Sequence, residues 1–283
     1  MDDDATLVIA GATGYGAWPE NTLEGALRCL AAPVDGFEID AVLTGDGHVV
    51  AHHDYRLSPE QTRLGGAWLA APSAPIKTLR LDEVRAYDVG RSRPGSRPAE
   101  RYKAREQMDG VRVPTLPELL GVLNGAAGPR RLIYVEIKTD PTDPDLSPTP
   151  DAMVEAVVRD LEAADYLTHA KIIAFDWRVL RLAAERSPGI RSAHLTVPDG
   201  LAPAWMDGLD LAAHGGSYLR AIKAHGGVEW SPHRVEVTDE RLAEARELGL
   251  LVGPWGVHRS EDIRRLSALG VYSQTVSGPD WGR

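Results

Sequence analysis

Short runs of β-branched and aliphatic residues alternate along this chain with stretches whose apolar positions return every three to four residues. This is the pattern of strands joined by crossover helices. Eight runs read as strands: Thr6–Gly11, Gly36–Leu43, Leu132–Lys138, Lys171–Phe175, Ser192–Thr196, Val228–Ser231, Leu250–Trp255 and Val271–Val276. The helical period holds over Thr22–Leu30, Leu116–Leu123, Asp151–Ala164, Trp177–Ser187, Leu209–Ala224, Asp239–Leu248 and Ser260–Leu269. Helix boundaries carry their own signals. Thr238-Asp239 and Ser260 open acidic first turns, while Gly249 and Gly270 fall just past the last periodic residues.

Strands and helices in this alternation predict an α/β chain closed into a (β/α)8 TIM barrel, a single domain over residues 1–283. Only Ser277–Arg283 follows the eighth run, so a short or missing final helix is expected. Two stretches break the alternation. Residues 55–114, after the second strand, are too many for a plain loop and read as an inserted segment. The segment is locally basic, setting Arg80, Arg85, Arg91, Arg93, Arg97, Arg101, Lys103 and Arg105 against Asp82, Glu83, Asp88 and Glu100. It is either a solvated excursion or a cap that brings arginine over an anionic substrate. Asp140–Pro150 follows a strand and carries Pro141, Pro144, Pro148 and Pro150, as a lid or a stiffened loop at the catalytic end of a barrel would.

Charge narrows the partners. With 31 Lys+Arg against 41 Asp+Glu, the net charge of −10 disfavours nucleic acid, whose binding needs a basic surface to displace counterions. No apolar run approaches the roughly 18 residues of a membrane span. The acidic start Met1-Asp2-Asp3-Asp4 does not resemble a secretory signal, and the lone Cys29 excludes an intrachain disulfide, so the chain reads as cytoplasmic.

Among the motifs, Gly11-Ala12-Thr13-Gly14-Tyr15-Gly16 after a strand imitates the opening of a nucleotide-binding reductase, and Tyr134 and Lys138 imitate its catalytic pair. The pair lies on a strand pattern, which holds them roughly 13 Å apart at about 3.3 Å per residue, and Trp18-Pro19 interrupts the phosphate-binding helix. The reading fails on both counts. Carboxylates on strands are more telling. Glu38 and Asp40, two apart, face one side of a strand, and Glu136 lies on the next. Converging at a barrel mouth they would form an oxygen-rich site for Mg²⁺ or Ca²⁺, although Glu136 and Lys138, also two apart, could simply pair. In His52-His53-Asp54 the two histidines face opposite ways, so at most one enters such a site as a general acid or base.

Together these residues resemble the glycerophosphodiester phosphodiesterase family. The resemblance runs through Pro19-Glu20-Asn21-Thr22, Glu38-Ile39-Asp40, Thr44-Gly45-Asp46-Gly47, His53-Asp54, Pro114-Thr115-Leu116, Val135-Glu136-Ile137-Lys138, Trp230-Ser231-Pro232 and Pro254-Trp255, in order over nearly the whole chain. It implies a barrel with a segment inserted after its second strand, a divalent cation on Glu38, Asp40 and Glu136, His53 as one acid–base residue, and Lys138 near the phosphate of a phosphorylated small molecule. The family's His-Arg-Gly on the first strand falls, counting back from Pro19, on Gly11, Ala12 and Thr13. Its Trp-Thr-Val-Asn becomes Trp255-Gly256-Val257-His258, and its Thr-Asp before the last Pro becomes Val276-Ser277.

Two functions follow. One is a divergent metal-dependent enzyme that cleaves a phosphodiester, forms a cyclic phosphate or expels a phosphate or diphosphate. The other is a non-catalytic barrel that binds a phosphorylated ligand. His258 would either replace the missing histidine from the opposite wall or cap the helix behind it. Trp230, Trp255 and Phe175 are either layers of core or the lining of an apolar pocket for a hydrocarbon part of the substrate.

Overall fold

The computed structural model describes residues 5–282, so the acidic start lies outside the described residues. The eight expected strands all form, with shifted ends and with the seventh cut to two residues: β1 (Leu7–Ala10), β2 (Gly36–Leu43), β3 (Leu132–Ile137), β4 (Ala170–Ala174), β5 (Arg191–Leu195), β6 (Glu229–Ser231), β7 (Leu251–Val252) and β8 (Ser273–Val276). They run parallel in chain order around the sheet, with β8 paired to β1. The seam between β7 and β8 is closed by backbone bonds, Tyr272 N to Val252 O at 2.9 Å and Thr275 N to Pro254 O at 2.9 Å, and by a bridge from Val257 to Val276. The chain is a nearly closed (β/α)8 barrel. Seven helices cover it: α1 (Leu23–Ala31), α2 (Leu116–Gly125), α3 (Pro150–Ala163), α4 (Trp177–Arg186), α5 (Tyr218–Ala224), α6 (Asp239–Glu247) and α7 (Ser260–Ala268).

Two expectations need correction. The long helix over Leu209–Ala224 is broken into a 3-10 turn, Leu211–His214, and α5, because Gly215 and Gly216 both take positive φ, where helical hydrogen bonding cannot continue. Ser260 is the first residue of α7 rather than its cap, which is Arg259. After β8 no helix follows among the described residues; Trp281 instead packs against Trp18, ring centroids 5.9 Å apart.

Strand parity sorts every side chain. Phe37, Ile39 and Ala41 of β2 join Val135 and Ile137 of β3 in the apolar layer beneath the helices. Their alternates Glu38, Asp40 and Glu136 face into the barrel. A second, smaller set, Ile9, Tyr134, Ile173, Ala193 and Leu195, fills the barrel interior. At one level of that interior Lys171 donates to both Glu229 oxygens, at 2.7 and 2.6 Å, and to Tyr134 Oη at 2.9 Å. Tyr134 is thereby spent on the barrel core.

Residues Val49–Ala51 fold back on β2 as an antiparallel hairpin, and His52 N donates to Asp40 O at 2.9 Å, which sets the following histidine at the barrel mouth. The inserted segment then adds a small three-stranded sheet (Arg63–Leu64, Ala67–Trp68, Tyr87–Asp88) and two short helices, Leu81–Arg85 and Arg97–Arg101. It rests on its own apolar cluster of Val42, Val50, Leu57, Ile76, Val84 and Val113. Several of its basic residues are neutralised nearby: Arg63 and Arg91 by Asp109, Arg85 by Glu118, Lys103 by Glu100 and Arg105 by Glu20. Of the arginines and lysine read as a cap, only Arg101 lines the cavity above the barrel.

Candidate active site

The three inward carboxylates converge. Ligand oxygens of Glu38, Asp40 and Glu136 all lie within 4.8 Å of one another, and all three side chains are shielded from solvent. Register explains this: Asp40 of β2 is directly paired with Glu136 of β3, and Glu38 is one inward position below Asp40.

The glycine-rich turn after β1 serves this cluster rather than a nucleotide. Ala12 and Thr13 take positive φ of 43 and 56°, which turns the Ala12 amide onto Glu38 Oε2 at 2.7 Å. Gly14 is required here, because a Cβ on it would stand 2.7 Å from the Trp18 ring. Asn21, also at positive φ, brackets Asp40: its amide nitrogen donates to Oδ2 at 2.8 Å and its carbonyl oxygen accepts the Asp40 N–H at 3.0 Å. Thr22 next to it caps α1 through Gly25 N. The Pro-Glu-Asn-Thr run therefore holds a site residue, a helix cap and the Glu20 partner of Arg105.

Lys138 lies between two of the acids, with Nζ 2.8 Å from Asp40 Oδ1 and also donating to Glu136 Oε1. The pairing of Glu136 with Lys138 and the carboxylate cluster coexist. Burial would raise the Asp40 carboxyl, but the Lys138 charge and its hydrogen bond hold it down at about 2. Burial raises Glu38 well above the ordinary carboxylate range, and the charges of Asp40 and Glu136 push the same way. Burial raises Glu136 as well, against the opposing Lys138 charge. The cluster is short of positive charge, and Glu38 Oε1 is buried with no hydrogen-bond partner. An all-oxygen donor set with an orphaned carboxylate oxygen fits a hard divalent cation.

His53 is the inward member of its pair. It lines the cavity with the three acids, whereas His52 does not, accepts the Asp54 N–H at 3.1 Å and lines an adjoining cleft that His53 also borders. The Lys138 charge works against the His53 proton, but Asp40 and a 2.8 Å bond to Asp54 outweigh it and raise the imidazole to about 9. It carries a proton at neutral pH.

The cavity holds about 470 Å³. On the far wall Phe175 and Trp255 meet edge to face at 5.6 Å, and His258 joins them, its Nδ1 donating to Gly256 O at 2.9 Å. His258 makes no capping bond to α7. Burial lowers its pKa, so it is neutral with Nε2 available. Trp230 takes the core alternative and does not line the cavity. It is buried beneath the helices, its Nε1 bonded to Thr196 Oγ1 at 2.9 Å, because Glu229 and Ser231 are the inward residues of β6. Sequence reasoning missed Tyr15, Tyr102 and His233, which also line the cavity. Nothing in their spacing marked them. At the end of β1 the wall is formed by Gly11 and Ala12, with no imidazole or guanidinium.

The barrel mouth thus carries three converging carboxylates, a lysine between two of them and a histidine at the rim. Comparison with known proteins gives the family: residues 11–276 match the glycerophosphoryl diester phosphodiesterase family, and the chain belongs to it. A glycerophosphodiester phosphodiesterase of Caldanaerobacter subterraneus subsp. tengcongensis is 25% identical over 97% of this chain and 95% of its own length. One from Bacillus subtilis is 26% identical over 99% of this chain and 86% of its own. Among solved structures, a Silicibacter pomeroyi protein assigned to the glycerophosphoryl diester phosphodiesterases superposes with a TM-score of 0.88 at 31% identity, covering 99% of this chain and 92% of that one. An Oleispira antarctica phosphodiesterase solved with the product sn-glycerol-3-phosphate shares the fold at a TM-score of 0.70 and 18% identity, covering 97% and 94%.

Proposed function

We propose that this chain is a divergent, divalent-cation-dependent phosphodiesterase acting on a phosphorylated small molecule. The observation that carries the reading is the orphaned Oε1 of Glu38 within a triad of buried carboxylates that a single lysine cannot neutralise. Glu38, Asp40 and Glu136 would hold Mg²⁺ or Ca²⁺, and the cation, when bound, supplies Lewis-acid polarisation of the phosphoryl group. Lys138 and Arg101, which lines the cavity from the inserted segment, orient the phosphate, and Phe175, Trp255 and His258 contact the rest of the substrate. His53 gives its proton to the leaving oxygen as the old P–O bond breaks, and a new P–O bond forms from water or from a neighbouring hydroxyl of the substrate, whose own proton is released to solvent. The second course yields a cyclic phosphate; departure of a phosphate or diphosphate would instead break its C–O bond, with water adding to carbon and His53 giving its proton to the departing oxygen. In this reading residues 1–283 act as one unit, with 55–114 as its inserted segment. The unpaired, buried Cys29 supports a cytoplasmic location.

A specific observation favours a second reading. With Gly11 and Ala12 where the family resemblance places a histidine and an arginine, the barrel would bind a phosphorylated ligand without turning it over. Titration calorimetry with Mg²⁺ and Ca²⁺ on the wild type and Glu38→Gln, beside turnover of glycerophosphodiesters, separates these. The enzyme reading expects cation binding that Glu38→Gln abolishes and turnover that falls by about 10² to 10⁴ in His53→Ala. No cation binding in the wild type overturns it. Binding of a phosphorylated ligand that survives His53→Ala, with no turnover, establishes the second reading.

A further inference from the structure

The cavity above the carboxylates runs on into a second one of about 520 Å³, with which it shares His53, Glu136, Lys138 and Phe175 and which Trp205 of the 3-10 turn Pro203–Met206 also lines. Both belong to the site already described. A further cleft, of about 550 Å³, lies within the inserted segment, between its small sheet and the stretch 91–109. Arg63 and Trp68, cross-strand partners, form one wall, with the guanidinium 5.6 Å from the indole centroid. Arg91, Tyr102, Lys103 and Arg105 belong to the other. Among the described residues of these walls the only carboxylate is Asp109. Its side chain is 63% exposed, yet Arg91 grips both its oxygens, at 2.7 and 2.6 Å, and Arg63, which also holds Asp88, donates to it as well. Two guanidiniums closed on one solvent-facing carboxylate are an oxyanion site already filled by a residue of the chain. Lys103 meets only the exposed Glu100, at 3.3 Å. Arg105 is enclosed: its side chain is 3% exposed, its Nε is buried without a partner, and its one counterion is Glu20 at 3.1 Å.

This cleft is tied to the carboxylate cluster. Tyr102 lines both the cleft and the cavity above the barrel, and Glu106 N donates to Ala17 O at 2.9 Å. Glu20, held by Arg105, lines that cavity and precedes the Asn21 that brackets Asp40. We propose that the cleft is a second binding site, for the dianionic phosphate group of a small phosphomonoester, and that its occupancy raises the cation affinity of Glu38, Asp40 and Glu136. Such a group carries about 1.5 to 2 negative charges at neutral pH and offers three strong acceptor oxygens. It displaces Asp109 from between Arg63 and Arg91 and draws on Lys103 and Arg105. Arg105 then gives up part of its hold on Glu20, the cavity above the barrel becomes more negative, and a cation there is held more tightly. The binding site stands on the cleft alone, whereas the link rests on the cation reading of the proposed function. A phosphomonoester is also what hydrolysis of a phosphodiester releases, so the ligand class is that of the product.

Titration calorimetry of the full chain at neutral pH, without added divalent cation, tests the cleft with monomethyl phosphate and dimethyl phosphate as probes. The monoester should bind at one site, more tightly than the singly charged diester by about tenfold or more. Asp109→Asn frees both arginines and removes a like charge, so it should tighten the monoester by about tenfold or more. A gain of this kind cannot come from a loss of folding. Lys103→Glu, at an exposed position, should weaken the monoester by about the same factor. No binding by either the wild type or Asp109→Asn, or an affinity that neither variant moves, overturns the site. Mg²⁺ titration with and without saturating monoester tests the link. The monoester should raise Mg²⁺ affinity by about fivefold or more, and Glu20→Gln, which has no charge to release, should lose that rise. Monoester binding with unchanged Mg²⁺ affinity, or a rise that Glu20→Gln keeps, overturns the link. Monoester binding that follows the two cleft variants in a chain that takes up no Mg²⁺ removes the cation reading and keeps the site.

Discussion

Lys138 Nζ stands 2.8 Å from Asp40 Oδ1, joining two neighbouring strands through the one ammonium available to three buried carboxylates. A buried pair is expensive to break from one side, because the charge left behind has neither water nor partner. This makes Lys138 both a constituent of the fold and the internal counterion of the carboxylate cluster.

Lys138→Met should therefore destabilise the cation-free protein by roughly 3–5 kcal/mol, and added Mg²⁺ should restore part of the loss. Thermal unfolding with Mg²⁺ and with a chelator checks this: the difference in Tm between the two conditions is expected to be larger in the variant than in the wild type. An equal or smaller difference would show that Lys138 does not compensate the cation site.

Asn21 brackets Asp40 through both ends of its side-chain amide. Asn21→Gly keeps the positive φ available and deletes only the amide. Outer partners of metal ligands typically affect affinity by about 10–100-fold, so calorimetric Mg²⁺ affinity should weaken by that order. Unchanged affinity would leave Asn21 with a purely backbone role.

Lys171 and Glu229 form a fully enclosed ion pair inside the barrel, with side chains 1% and 4% exposed. Lys171→Met and Glu229→Gln should each cost roughly 3–5 kcal/mol in urea unfolding. Combining them should cost clearly less than the sum, since neither charge is then stranded. Additive losses would contradict the pairing.

His194 gives a pH dependence whose sign is fixed. It faces outward from β5 beneath the helices, where burial, with the neighbouring His225 adding to it, lowers its pKa to about 3. Between pH 6.5 and 3 the unfolded chain binds a proton there that the folded chain refuses. Stability should fall on acidification through that window at up to about 1.4 kcal/mol per pH unit from this group. His194→Gln should show a shallower fall in unfolding midpoint from pH 7 to pH 4; an identical slope would refute the assignment.

Much of the site was legible in the sequence because strand periodicity is local. Two residues on a strand share a face, so Glu38 with Asp40 and Glu136 with Lys138 declared their common sides before any fold was known. The same rule decides between the two readings of Trp230. Its neighbours Glu229 and Ser231 are the inward residues, so its own parity places it under the helices. The broken helix at Gly215-Gly216 was likewise marked by its glycines. His233 and Trp205 carried no such mark, because they reach the two cavities from short turns whose direction no repeat predicts, and charge alone did not single out Arg101 from its basic neighbours.

The sequence by itself determined the alternation of strands and helices, the side on which each acid lies, and the departure at Gly11 and Ala12 from the family's first-strand pair. Only the tertiary structure decided that several of the segment's basic residues pair with acids inside it and beside it, that His258 faces the cavity instead of capping a helix, and that two cavities share His53, Glu136, Lys138 and Phe175. The reason is the range over which each is set. Which way a strand side chain points follows from backbone geometry between adjacent residues. What it meets depends on barrel closure and on loops tens of residues apart in the chain.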